Sequence, residues 1–250
     1  MEFVAIEKKE QTALVTLGRE KVNAINTAVL EELRESFETL KDDPEVKAVI
    51  MTGRGKFFSF GFDIPEFLDS PKEVFVDFLY KFTAFYAYLY HYPKALVAAL
   101  NGHAVAGGCI LATVCDYRVM VTGKARIALN EVTFGASLFA GAVAVMKNCI
   151  GHRNAEKILF TGAMFSAEEA FKLGLVDKVS SEETLMKDAD EAAGVYIKNY
   201  GEAFGSMKRL ARNIDIPEFK SLESKSIKEF LEIWYSEKTM KNLKQILIRS

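Results

Sequence analysis

The sequence is poor in the residues that build disulfide frameworks and metal centres. Only three cysteines occur in 250 residues. Cys109, Cys115 and Cys149 form an odd set without C-x-x-C spacing, each in an apolar context. That excludes a stapled secreted scaffold and a zinc ribbon, and makes free thiols in a reducing compartment the expectation. Histidine is as scarce: His91, His103 and His152 stand in no ligand pattern, so no metal site is expected. Neither sign of charge dominates, with 32 basic and 34 acidic residues and a net charge of −2, so nothing draws the chain to nucleic acid or to an anionic membrane. No apolar run reaches the ~18 residues of a membrane span. The opening MEFVAIEKKEQ has no apolar stretch behind a basic region, and a cytoplasmic protein is expected. Two nucleotide and nucleophile signatures are also missing. In TGRGKFF, Ile50 and Phe57 stand where a phosphate loop needs a glycine and a hydroxyl. FFSFG lacks the first glycine of a nucleophile elbow, which removes the claim of Ser59.

What is present is an ordinary globular composition, half hydrophobic and 26% charged, long enough to bury a substantial core. Residues 3–6 and 12–17 read as a hairpin around the polar turn KKEQ. Val29, Leu30, Leu33, Phe37 and Leu40 recur at helical spacing behind possible caps at Asn26 and Thr27. VKAVIMTG then reads as a buried strand. The alternation continues with an aromatic-rich helix over about 71–91, the strand ALVAALNG, a short helix from Gly107 to Cys115 and the strand YRVMV, which points to an α/β layered core. Capping boxes are expected at Ser166/Glu169 and Ser180/Glu183, with Gly174 as a helix stop. From about 216 to 248, Leu222, Ile227, Phe230, Leu231, Trp234, Met240, Leu243 and Ile246 mark an amphipathic helical tail that must dock on its own core or on another subunit. No low-complexity linker divides the chain, so the expected organisation is an α/β core over 1–190 with a helical region over 191–250.

Three segments carry chemistry. In GKFFSFGFDIPEF, Asp63 and Glu66 look like a capping box, and a helix opening past Phe62 aims its N–H groups into the space before it. In HAVAGGCILATVCDYR, Gly107 and Gly108 stand before a second helix, where glycine serves either close packing or close approach of a ligand to the backbone. Two such helix mouths brought together make a pair of donors for a developing oxyanion. In ARIALNEVTFGASL, Glu131 follows an alternating strand among apolar neighbours, which raise a carboxyl pKa and make a usable proton acceptor.

The set FFSFGFDIPEF, LNGHAVAGGCILATVCDYRV, IALNEVTFG, IGHRNAEKILFTG and SAEEAFKLGLVDKV, in this order and spacing over nearly the whole chain, resembles the crotonase (enoyl-CoA hydratase/isomerase) superfamily. The resemblance implies a crotonase-like α/β spiral of repeated ββα units with a helical C-terminal region that serves as a trimerisation or lid element. It implies an acyl-CoA thioester as substrate, CoA being part of the substrate and no further cofactor being needed, and a homotrimer or dimer of trimers. Phe62 and Gly107 fall on the positions whose N–H groups form the oxyanion hole. Ala24, Phe60, Gly61, Asp63 and Ile64 fall on the segments that line bound CoA, and Ile110, Phe134, Leu138 and Phe139 border the acyl pocket. Hydratases of the family carry one glutamate at the place of Glu131 and another two residues after the glycine pair, where this chain has Ile110. Isoleucine can neither activate water nor hand on a proton. The chain is more similar to the Δ3,Δ2-enoyl-CoA isomerases, with Glu131 as single acid and base. The alternatives are thioester hydrolysis, decarboxylation, or hydration with a second polar group such as Glu66 or Ser137. Outside catalysis, they are CoA-thioester binding or RNA binding.

Overall fold

The structure is a computed structural model and describes residues 1–212 and 216–246, over 216–220 the backbone alone. The chain opens with the antiparallel hairpin of β1 (Val4–Lys9) and β2 (Thr12–Leu17). The turn is tighter than KKEQ: Lys9 pairs with Thr12, and Glu10 takes φ +52°. Helix α1 (Thr27–Asp42) begins where Asn26 accepts the Val29 N–H, and it buries all five of the periodic apolar residues.

Then a repeat sets in. Each turn gives one strand to a large sheet, one short strand to a small sheet, and a helical return. The turns run β3 (Ala48–Gly53), β4 (Phe57–Ser59), α2 (Ile64–Asp69) and α3 (Lys72–Tyr90); then β5 (Ala95–Leu100), β6 (His103–Val105) and α4 (Gly107–Thr113). The next is β7 (Tyr117–Val121), β8 (Ile127–Ala128), α5 (Glu131–Phe134), α6 (Ala140–Ile150), α7 (His152–Thr161) and α8 (Ala167–Lys172), and β9 (Lys178–Ser180) leads into α9 (Leu185–Ile197). Among the described residues the large sheet has the order β1-β2-β3-β5-β7-β9 and the small one β4-β6-β8. Every pairing between two of these strands after the first hairpin is parallel, while Ile127 of β8 also makes an antiparallel bridge to Phe165. This is the crotonase-like spiral. β3 and β5 are buried at every residue, which is why they read as continuous apolar runs: helices cover a parallel sheet on both faces.

The Ser166/Glu169 capping box opens α8, and Gly174 lies just past its end with φ +75°. Ser180/Glu183 is not a cap. Ser180 closes β9 and its hydroxyl donates to the Asp188 carboxylate, while α9 starts only at Leu185. Residue 190 falls inside α9, which packs on β3, β5 and β7, so a division there runs through a helix of the core. The chain ends in α10 (Gly201–Ala211), α11 (Ile216–Trp234) and α12 (Glu237–Leu243). The tail docks within its own chain, with Ile227, Phe230, Trp234 and Leu243 buried. Positions 247 and 248 of the expected tail lie outside the described residues.

Candidate active site

The small sheet builds the site. Its three parallel strands end side by side, and each runs on into one of the three segments that carry chemistry. Phe62 lies three residues past β4, Gly107 two past β6 and Glu131 three past β8. Ligand crevices form at such carboxyl ends because the chain must turn away there and leave space.

Gly61, at φ +89°, packs so tightly on the second segment that a Cβ there would stand 3.0 Å from the Gly107 nitrogen. A Cβ on Gly107 would meet the Phe62 ring at 3.0 Å, and one on Gly108 would meet the Ser59 carbonyl oxygen at 2.2 Å. Both glycines are therefore packing requirements first: they let the two segments touch. No acceptor among the described residues takes the N–H of Phe62 or of Gly107. The two donors flank one crevice and are free for a ligand oxygen. Ala106, just before Gly107, is held at φ +49°, ψ −120°, a region that costs a residue with a Cβ about 1–3 kcal/mol and clusters at functional sites. Its N–H donates to the Ala128 carbonyl at 2.9 Å, tying β6 to β8 at this point.

Glu131 is buried, and burial pushes its carboxyl up to about 8, opposed only by a bond from its own backbone N–H. Its Oε2, like the neighbouring Asn130 Oδ1, is buried without a hydrogen-bond partner. Both residues line a cavity of about 280 Å³ whose wall also includes Phe60, Phe62, Ile64, Gly107, Ile110, Phe134, Leu138 and Phe139. Glu131 is the one ionisable side chain among the described lining residues.

Ala24, Gly61 and Asp63 stand outside that lining. Asp63 caps α2 by accepting the Glu66 N–H, and its carboxylate pairs with the buried Arg19 at 2.6 Å. Glu66 does not close a capping box. It takes Arg19 at 3.0 Å and Asn26 at 2.9 Å, and it too lies outside the cavity, so it supplies no second acid there. Ser59 is held structurally, donating to the Asn23 carbonyl and accepting the Gly61 N–H. Ser137 does line the cavity, as do Asn130, Thr133, Val105, Ala106, Phe230, Trp234 and Ile246, which the sequence patterns do not place there. Asn130 was within reach, as the neighbour of Glu131. The tail residues carried only a helical period, which says that a face is covered and not what covers it. Among the described residues no cluster of three or more His, Cys, Asp or Glu is placed to hold a metal ion, and no helix is long and apolar enough to cross a membrane.

The sequence model described as enoyl-CoA hydratase/isomerase matches residues 7–230. The crotonyl-CoA hydratase of Syntrophomonas wolfei is 31% identical over 229 residues, 89% of this chain and 87% of that protein. The mitochondrial enoyl-CoA delta isomerase 1 of Homo sapiens is 28% identical over 239 residues, 95% of this chain and 79% of that one. The crystal structure of human mitochondrial Δ3-Δ2-enoyl-CoA isomerase superimposes with a TM-score of 0.90 at 28% identity, covering 97% of this chain and 95% of that chain. Both hydratases and isomerases thus stand among the relatives.

Proposed function

The chain belongs to the enoyl-CoA hydratase/isomerase family, and from that premise we propose that it is a Δ3,Δ2-enoyl-CoA isomerase, with Glu131 as its single proton carrier. The observation that carries this reading is the ionisable inventory of the described lining: one carboxylate, with Ile110 in the wall where a hydrating enzyme would need a second. Adding water requires one group to activate it and another to protonate carbon. Moving a double bond requires only one group that takes a proton and returns it.

The groups present set the steps. The thioester oxygen of a 3-enoyl-CoA accepts the N–H groups of Phe62 and Gly107. Ionised Glu131 takes a proton from C2, the C–H electron pair passes into the thioester, and the charge of the dienolate rests on that oxygen between the two donors. Glu131, now neutral, returns the proton at C4, and the double bond lies between C2 and C3. A carboxyl held near 8 suits both halves, because near neutral pH neither form is far out of reach. The apolar wall keeps water from the dienolate. CoA enters as part of the substrate and no other cofactor is called for. Ala24, Gly61 and Asp63, outside the acyl cavity, remain assigned to the CoA side. The reading includes a homotrimer or dimer of trimers in the cytoplasm.

Turnover of 3-hexenoyl-CoA and crotonyl-CoA, with products separated by chromatography, tests this. The expected result is conversion of the first to the 2-enoyl thioester and negligible hydration of the second. Glu131→Gln should lower kcat by a factor of about 10² or more. Fast hydration of crotonyl-CoA, or activity that survives in Glu131→Gln, overturns it.

A further inference from the structure

The helical tail does more than cover the core. Four rings form one wall of the cavity, each near the next: Phe62 to Phe139 at 6.5 Å between centroids, Phe139 to Phe230 at 4.9 Å, Phe230 to Trp234 at 5.4 Å. The wall starts at the residue that offers the first oxyanion N–H and ends on the chain's single tryptophan. Trp234 backs onto Phe75 at 4.8 Å, and Phe75 is not part of the lining. Trp234 is thus the last ring of this run, and behind it stands the buried Phe75.

We propose that Trp234 sets the acyl-chain length that the enzyme accepts, by closing the far end of an aromatic wall that begins at Phe62. This rests on the isomerase reading for its assay but not for its binding consequence. The preferred substrates are therefore acyl groups whose far end stops at or before Trp234. The tail that presents Trp234 is pinned on both sides of it. Before it, Glu223 and Ser226 accept the N–H groups of Gly141 and Ala140, each at 3.0 Å. After it, Thr239 and Asn242 donate to the carbonyls of Gly135 and Phe134, at 2.7 Å and 3.1 Å. The ring is held in place by four bonds to the segment that carries Phe134, Leu138 and Phe139, as a gauge of chain length has to be.

The test is a series of 3-enoyl-CoA substrates of rising even chain length. In the wild type, kcat/KM rises by about fourfold per methylene buried and then breaks at the length that reaches Trp234. In Trp234→Ala the break moves to chains longer by about two to four carbons, the room that the missing indole leaves along the wall. Trp234→Leu, which keeps apolar contact with Phe75, gives a smaller shift in the same direction and guards against loss of the fold. Calorimetric binding of saturated acyl-CoA thioesters of the same lengths gives the same break without turnover, so a failure of the isomerase assay leaves this test intact. A break at the same length in the wild type and in both folded variants, in turnover or in binding, overturns the assignment.

Discussion

Burial raises the Glu131 carboxyl and so makes it a cost to the fold. Desolvation raises its carboxyl from an ordinary value of 4.5 to about 8. Between those values the unfolded chain has released a proton that the folded chain keeps. Stability therefore falls as pH rises through this window, by about 1.4 kcal/mol per unit at most, and the loss is complete above it. Glutamine at this position carries no such penalty. Glu131→Gln should melt higher than the wild type at about pH 8.5, with the two converging near pH 5, as read by scanning calorimetry. Activity runs the other way. In the proposed reaction Glu131 has to be ionised in the free enzyme, so kcat/KM should climb about tenfold per pH unit below 8 and level off above it. Coincident melting at both pH values would mean that the carboxyl is not held neutral by the fold.

At the scale of elements, α12 and the loop after α5 work as a clasp. Thr239 is buried and donates to the Gly135 carbonyl at 2.7 Å. Gly135 takes φ +88°, and a Cβ on it would meet the Thr239 hydroxyl at 3.2 Å. The same turn is closed by the bond from the Ala136 N–H to the Glu131 carbonyl at 3.0 Å. The tail thus touches the peptide segment that orients the carboxylate. Thr239→Val removes the bond and leaves a carbonyl unpaired, at a cost of about 1–3 kcal/mol. The melting temperature should drop by about 2–4 °C per kcal/mol. Steady-state kinetics should show kcat falling by more than KM rises, since the substrate contacts stay and the base loses its alignment. A change in stability alone, with kcat intact, would reduce α12 to a packing element.

The whole molecule leaves apolar area that its own fold does not cover. Phe160 on α7 is 73% exposed and Phe171 on α8 is 53% exposed. An assembly of copies would bury them. Analytical ultracentrifugation should give three or six times the chain mass of 27.9 kDa, and Phe160→Asp should shift the distribution toward the single chain. A wild type that sediments as one chain would remove the trimer from the proposal.

Much of this was legible in the residues themselves. Helical spacing placed the buried face of α1, the unbroken apolar runs gave β3 and β5, and Ser166/Glu169 marked the start of α8, because these signals act over a few residues of chain. The short strands β4, β6 and β8 were not legible as strands. With two or three residues each, they have no period to read, and only their pairing defines them. The sequence by itself determined the inventory of candidates: a carboxylate among apolar neighbours, two glycines ahead of a helix, and isoleucine where the proposed reading needs no second acid. Only the tertiary structure decided the rest. It removed Glu66 to an ion pair with Arg19, it made Gly107 and Gly108 contact surfaces for Phe62 and Ser59, and it set Trp234 in the wall of the cavity. Those outcomes depend on contacts between residues far apart in the chain, which no local pattern encodes.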